Sequence, residues 1–272
     1  MKPPVFASQR SHPGRAAARH LVAVVVGSIA LLAASPVAAD SVASGWGTPS
    51  VNGAFAPGEW TSAGAVNFVA NTPGGGTTPA TLLVMNDVSN LYLAVRFARA
   101  GVDPGNSLAF EFDKDNNGAV SDGDDAIVYN PDPAVLFRDD VRTSAPPCPG
   151  GLCSSYDTDV GGTNDGAGAF ANDGSTTVYE MRHPLRSADA AHDIQISAGQ
   201  AIGLQLSLRL IGAGGGFPQA FGDTTYPSSG FLAVVTAAGP TQVDVPAMGG
   251  TGLAILVVLT IAAGLAALPR RA

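Results

Sequence analysis

The chain has 272 residues and a formal net charge of −8, and 13% of its residues are charged. Residues 40–245 are more acidic than the whole, because they hold all 22 Asp and Glu against 8 Lys and Arg, a net charge of −14. This charge excludes nucleic acid as a partner, since phosphates require a basic surface. It is compatible with cation binding and with solubility outside the cell.

The first 39 residues have the pattern of a signal peptide. Lys2, Arg10, Arg15 and Arg19 precede an apolar run over residues 21–34, and small residues follow at 37–39. We expect cleavage before residue 40. An N-terminal membrane anchor is the alternative, but the apolar run is short for a span and a proline follows it at once.

The C-terminal end has the pattern of a single transmembrane helix. Residues 249–268 contain no charged side chain, and at about 1.5 Å rise per residue they span roughly 30 Å, the thickness of a bilayer core. Arg270 and Arg271 follow within a basic tail, residues 269–272, which we expect on the cytoplasmic side. A buried core helix is the less favoured alternative. Both ends therefore predict an exported protein anchored at the cell envelope.

Residues 40–240 predict one all-β domain, a two-sheet antiparallel β-sandwich of jelly-roll type. Short apolar or alternating runs recur between clusters of Gly, Pro, Asn and Asp, and no long amphipathic helical pattern interrupts them. The predicted strands lie at residues 81–85, 91–97, 108–113, 126–129, 135–138, 176–182, 202–210 and 231–236. Residues 143–174 predict a long surface loop with one strand near Phe170. Two packed sheets are expected because a single sheet cannot bury its apolar face.

An acidic loop between two of these strands has the spacing of a calcium-binding loop. A hard cation takes six to eight oxygen ligands, which short acidic and amide side chains supply at alternate positions of a tight coil. The predicted ligands are Asp113, Asp115, Asn117, Ser121 and Asp124, with the carbonyl of Ala119 and with Gly118 at the chain reversal. Asp124 stands where the commonest pattern has glutamate, and Asp122 or Asp125 could substitute for it. The alternative is a solvated turn without an ion.

The two cysteines, Cys148 and Cys153, lie close together in the segment CPGGLC. In an exported protein this spacing favours a local disulfide that rigidifies the loop. A metal-binding or redox pair is the alternative, but no further cysteine supports it.

Four stretches, in this order, resemble the family 9 carbohydrate-binding modules and their DOMON-like relatives. They are VNGAFAPGEW, NLYLAVRF, SLAFEFDKDNNG with GDDAIVY, and VYEMRHPLRSADAAHDIQISAGQAIGLQLSL. The resemblance implies a β-sandwich that binds sugar rings on aromatic faces, with Trp60 in a mainly structural position. Trp46 lies in the lead-in SGWGTPS, where we expect a capping contact and not a stacking platform. The chain departs from the family pattern at Asn52, Gln200 and Leu204.

A second resemblance concerns residues 241–248, the linker before the apolar run. Val245, Pro246, Ala247 and Met248 resemble the start of the C-terminal sorting signals of Gram-negative bacteria typified by IPTL-CTERM. The resemblance implies a sorting protease as a partner. Whether such a protease removes the helix or the helix remains as an anchor stays open at this point.

The predicted function is that of a non-enzymatic, surface-anchored binding module with structural calcium and with a glycan as candidate ligand. No GxSxG, HExxH or CxxC pattern indicates an enzyme. One alternative is a haem-binding electron-transfer domain of the DOMON-like type, for which the candidate axial ligands are Met85, Met181, His183 and His192. We expect His183 to lie in a partly exposed turn instead. The other alternative is a purely structural cell-envelope protein.

Overall fold

The computed structural model describes residues 41–73, 75–99, 106–131, 136–145, 148, 151–211 and 224–240, all within the unit formed by residues 37–272. The predicted signal peptide, sorting motif, transmembrane helix and terminal arginines lie outside these residues. Over the described ranges, no helix has the length and apolar character needed to span a bilayer.

The described residues form fourteen strands and one short 3-10 helix, Asp157–Asp159. In chain order the strands are β1 Ser41–Ala43, β2 Gly45–Trp46, β3 Gly64–Thr72, β4 Gly76–Asn86, β5 Asn90–Ala98, β6 Ser107–Asp113, β7 Asp125–Tyr129, β8 Phe137–Thr143, β9 Cys153–Tyr156, β10 Ala167–Asn172, β11 Thr176–Pro184, β12 Ala201–Arg209, β13 Thr224–Tyr226 and β14 Leu232–Val235.

The strands form two packed sheets, which confirms the predicted β-sandwich. One sheet has the order β1-β14-β12-β6-β7-β8-β9, with β13 also paired to β12, and the other has the order β10-β11-β5-β4-β2, with β3 also paired to β4. Most pairs are antiparallel as expected, but β1 pairs with β14 and β2 with β4 in parallel. Both parallel strands belong to one N-terminal segment, which changes sheets at Ser44, so each half pairs in a different sheet.

The hydrophobic core lies between the sheets and follows the strand alternation. On β12, Ile202, Leu204, Leu206 and Leu208 are buried, whereas the residues between them are only half-buried. Inward residues of β5 meet them from the opposite sheet, and those of the neighbouring strand β6 lie beside them in the same core cluster. Full burial of each such side chain stabilises the fold by about 1.5–3 kcal/mol.

A second, smaller apolar cluster covers the outer face of the six-stranded sheet. Trp60, Met85, Tyr92 and Ala94 are buried there, and Phe55 stacks on Trp60 with ring centroids 6.2 Å apart. Trp60 is therefore structural, as the resemblance implies. β5 is buried on both faces because the segment before β3 folds over it.

Three regions differ from the sequence-based expectation. The lead-in at residues 41–46 forms two edge strands, β3 adds a strand before β4, and the expected loop at 143–174 contains both β9 and β10. β10 confirms the strand expected near Phe170. β1, β2 and β9 are short, and β3 buries only Phe68 and Ala70 among its nine residues, so the local patterns of these strands are weak.

Candidate calcium loop and ligand cleft

The acidic loop connects β6 to β7, which are antiparallel neighbours. Asp113 is the last residue of β6, and Asp124 directly precedes β7. Carboxylate oxygens of Asp113, Asp115 and Asp124 lie within 4.8 Å of one another. Asp113 and Asp124 are buried, while Asp115 is exposed. The structure thus brings together the three charged members of the predicted ligand set.

Backbone amides of the loop fix the orientation of the two buried carboxylates. Asn117 and Gly118 donate their amide protons to Oδ1 and Oδ2 of Asp113, both at 2.9 Å. Lys114 donates to Asp124 Oδ1 at 3.0 Å, and the Ser121 amide donates to Asp124 Oδ2 at 2.7 Å. Burial raises the pKa of Asp124, and these hydrogen bonds oppose that rise. Gly118 adopts φ +81°, which suits glycine and reverses the chain.

The remaining predicted ligands join this group through their own hydrogen bonds. Asn117 donates from Nδ2 to Asp115 Oδ2 at 2.8 Å and to Ser121 Oγ at 3.0 Å. The Ala119 amide donates to Asn117 Oδ1 at 2.7 Å. The two residues expected as substitutes for Asp124 point elsewhere. Asp122 accepts from the Ser144 amide, and Asp125 accepts from the Ile194 amide.

A cleft of about 430 Å³ opens beside the loop on the outer face of the eight-stranded sheet. Asp113 and Asn116 border it on the loop side, and Phe231 and Ser229 border it on the side of β14. Gly203 lies between them, and a Cβ atom there would stand 2.7 Å from Asp113 Cβ and 3.0 Å from Phe231 Cβ. The missing side chain therefore lets the loop and Phe231 approach each other.

Neither tryptophan lines this cleft. The Trp60 indole nitrogen donates to Glu180 Oε1 at 3.1 Å inside the second apolar cluster. The Trp46 ring lies against Gly239, where an added Cβ would come within 2.7 Å of the ring. The aromatic ring beside the cleft belongs instead to Phe231, which the sequence did not single out.

The predicted disulfide joins Cys148 and Cys153 between β8 and β9, with Cα atoms 5.7 Å apart. Cys148 is buried, so this crosslink anchors the start of β9. The prediction of a disulfide is confirmed.

A second acidic group, which the sequence did not indicate, lies inside the sandwich. Ligand atoms of Asp125, Asp139, His183 and Asp193 come within 4.8 Å of one another, and all four residues are buried. The expectation of a partly exposed His183 is wrong, because this residue lies within β11 and faces the opposite sheet. One signal was present in the sequence: Asp125 shares the inward face of β7 with Ile127, where an apolar residue is expected.

Burial and mutual repulsion govern the charges of this buried group. Burial raises the pKa of Asp125 to about 7 and that of Asp193 to about 6. Burial raises the pKa of the neighbouring Asp157 to about 9, and the charge of Asp139 adds to the rise. Burial alone would lower the pKa of His183, but the charges of Asp125 and Asp139 outweigh it and raise the pKa to about 9. Negative charge is therefore costly at this place without a compensating cation.

The other residues considered as haem ligands are also engaged. Met181 and Met85 are buried, Met181 in the main core and Met85 in the second apolar cluster. His183 Nε2 faces the carboxylates of the buried acidic group, and His192 Nδ1 lies 2.7 Å from Asp189 Oδ1.

Comparisons with known proteins find resemblance in architecture alone. No protein-family model matches the chain, and no curated protein matches it. Two solved structures of a family 9 carbohydrate-binding module from Caldicellulosiruptor kristjanssonii are similar to it, each with a TM-score of 0.46 and 9% sequence identity. The complex with cellotriose covers 76% of this chain and 98% of its own, and the complex with glucose covers 75% and 100%. Similarity at this level does not assign the chain to a family.

Proposed function

We propose that the described domain is a non-catalytic binding module of an exported protein, with calcium in the acidic loop and a carbohydrate in the adjoining cleft. The observation that carries the proposal is that Asp113 belongs to both sites. Its carboxylate belongs to the group formed with Asp115 and Asp124, and the same residue lines the cleft. An ion in the loop would therefore fix one wall of the ligand site.

The chemistry of the loop suits calcium. Calcium prefers oxygen ligands from carboxylates, amides and carbonyls in a flexible arrangement, and the loop supplies all three kinds. The ion would compensate the charges of three close carboxylates, two of which are buried. It would also tie the end of β6 to the start of β7, so its main effect on the domain is on stability.

The cleft suits a small polar ligand with an apolar face. Clefts of roughly 300–1,000 Å³ are typical of small-molecule sites, in which a few polar groups fix the orientation of the ligand. Phe231 offers a ring for the apolar face of a sugar, and Asp113, Asn116 and Ser229 offer polar groups for its hydroxyls. This combination supports carbohydrate as the ligand class.

Thermal unfolding of the full chain in mild detergent tests the calcium site. A ligand that binds only the folded state stabilises it by about 2.7 kcal/mol at one hundred times its Kd. For a domain of this size we expect Tm to rise by about 5–10 °C from chelator to millimolar calcium. Asp115→Asn should abolish the rise while changing the Tm in chelator little, because Asp115 is exposed. Equal Tm values with and without calcium would refute the calcium site.

Calorimetric titration with soluble oligosaccharides, chosen from a glycan array, tests the cleft. Phe231→Ala should weaken binding at least tenfold, because it removes the only large ring that borders the cleft among the described residues. Val69→Ala is the matched control, since Val69 is an exposed apolar residue on β3. Equal affinities of the two variants, or no glycan binding by the wild type, would contradict the assignment of the cleft.

The anchoring at the envelope is a further part of the proposal and rests on the sequence of the C-terminal end. Mass spectrometry of the mature protein from cells distinguishes its two forms. Retention of Arg270 and Arg271 would support a lasting helical anchor, whereas their loss together with the apolar run would support cleavage by a sorting protease.

A further inference from the structure

We propose that Asp125, Asp139, Asp193 and His183 bind a first-row divalent transition-metal ion inside the sandwich, and that this ion joins the two sheets. Asp125 and Asp139 lie on paired strands β7 and β8 of the eight-stranded sheet. His183 lies on β11 of the six-stranded sheet and faces them across the core. Asp193 comes from the connection between β11 and β12. This centre is separate from the acidic loop and does not depend on the calcium proposal.

The first argument is the set of ligand atoms without hydrogen-bond partners. No hydrogen bond of ordinary geometry reaches Asp125 Oδ1, Asp139 Oδ1, either carboxylate oxygen of Asp193, or His183 Nε2. The exposed fraction of each of these residues is 2% or less. A buried polar atom without a partner costs about 1–3 kcal/mol, and more when it is charged. These five atoms belong to four residues whose ligand atoms come within 4.8 Å of one another, which indicates a missing positive partner.

The second argument is the way the surroundings orient these ligands. His183 Nδ1 lies 2.8 Å from the Pro184 carbonyl oxygen, which can only accept, so Nδ1 carries the proton. In its neutral form, His183 then directs the lone pair of Nε2 toward the carboxylates. Asp125 Oδ2 accepts from the Ile194 amide at 2.8 Å, and Asp139 Oδ2 accepts from the Asp165 amide at 2.9 Å. Metal-binding histidines and carboxylates are commonly held by outer hydrogen bonds of this kind.

The third argument is the spacing of the donors. His183 Nε2 lies 3.6 Å from Asp125 Oδ2 and 3.5 Å from Asp139 Oδ2. A tetrahedral zinc ion with bonds of about 2.0–2.1 Å holds its ligands roughly 3.3–3.4 Å apart, so small shifts would close the shell. The imidazole nitrogen favours a transition metal over calcium or magnesium, which prefer oxygen ligands.

The competing arrangement is a metal-free network in which His183 is protonated. One imidazolium would face three carboxylates, so negative charge would remain in excess within the core unless an acid is also protonated. Asp157, whose pKa burial raises to about 9, would donate its proton to Asp193 in that arrangement, but Asp125 Oδ1 and Asp139 Oδ1 would stay without partners. A divalent ion accounts for both features at once.

Metal analysis of the full chain, purified in mild detergent and offered Zn²⁺ and Mn²⁺, tests the proposal. We expect one transition-metal ion per chain, and for zinc an X-ray absorption spectrum with a mixed nitrogen and oxygen shell at about 2.0–2.2 Å. Imidazole scattering should be visible in the spectrum. Absence of a stoichiometric transition metal, or an ion bound through oxygen alone, would overturn the proposal. This measurement needs no variant, so it does not depend on the folding of one.

Variants then locate the ion. Asp139→Asn should weaken zinc binding more than about 100-fold, since even outer-shell changes cost 10–100-fold. Asp140→Asn is the matched control, because Asp140 is the equally buried next residue, held by Ser154 and Arg138. It should keep one ion per chain. Asp115→Asn should also keep the transition metal, which separates this centre from the calcium loop. Wild-type zinc affinity in Asp139→Asn would place the ion elsewhere and refute the centre.

Discussion

Glu180 is a buried carboxylate that holds the segment before β3 against the outer face of the six-stranded sheet. Its Oε2 accepts from the amides of Asn52 at 3.1 Å and Gly53 at 2.7 Å, and its Oε1 accepts from Trp60 Nε1 at 3.1 Å. All three partners are donors, so the site requires an acceptor at both oxygens. We therefore expect Glu180→Gln to destabilise the domain although it conserves the shape of the side chain.

The expected loss follows from these three hydrogen bonds. Glutamine keeps one acceptor oxygen, so the two amide bonds can persist, but they lose the strengthening that a charged acceptor gives, about 1 kcal/mol each. Its amide nitrogen would face the Trp60 indole N–H, which leaves a buried donor without a partner at a cost of about 1–3 kcal/mol. Removal of a buried charge offsets part of this sum. We expect a net loss of about 2–4 kcal/mol, or roughly 5–15 °C in Tm.

Urea and thermal unfolding followed by tryptophan fluorescence measure this loss. Glu59→Gln is the matched control, because half-buried Glu59 accepts from the amides of Ser50 and Ala56. Solvent can replace those bonds, so we expect less than about 1 kcal/mol there. If Glu180→Gln and Glu59→Gln lose the same stability, the assignment of Glu180 as an obligatory acceptor is wrong.

Two further predictions concern the pH dependence of stability and the disulfide. Burial alone would raise the pKa of Asp87, but hydrogen bonds from the Tyr92 hydroxyl and from backbone amides outweigh it and lower the pKa. The stability from Asp87 is therefore complete above its unfolded pKa of about 4 and is lost as the pH falls through the lower folded value. Asp87→Asn should cost about 1–2 kcal/mol in urea unfolding at pH 7, and this difference should shrink below about pH 4; a constant difference would refute the linkage. The double variant Cys148→Ala, Cys153→Ala lacks the disulfide that constrains the unfolded chain. We therefore expect its free energy of unfolding to fall by about 2 kcal/mol, with an unchanged far-ultraviolet circular dichroism spectrum. Loss of the β-sheet spectrum would show that the crosslink is needed for folding.

The strands that the sequence predicted are those whose local pattern reports burial directly. β12 alternates large apolar and small or polar residues along its whole length, and β4 with β5 forms the expected hairpin. The strands that it missed obtain their partners from distant segments. β1 pairs with β14 across almost the whole domain, and its own three residues hold no pattern that indicates this pairing.

The acidic loop and the buried acidic group show the same contrast at the level of a site. All predicted calcium ligands lie within twelve residues, so their spacing alone predicts that they converge, and the structure brings Asp113, Asp115 and Asp124 together. The ion itself remains a proposal. In the buried group, Asp125 and Asp139 come from one sheet, His183 from the other and Asp193 from a connection. These residues are too far apart along the chain for a local sequence pattern to predict that they meet.

The sequence by itself therefore determined the fold class, the disulfide and the position of the acidic loop, because each follows from residues close together in the chain. Only the tertiary structure decided which carboxylates meet inside the sandwich, where the cleft opens and that Trp60 is buried on Glu180. The physical reason is that strand alternation fixes the face on which a side chain lies, whereas sheet order and packing determine what lies opposite it.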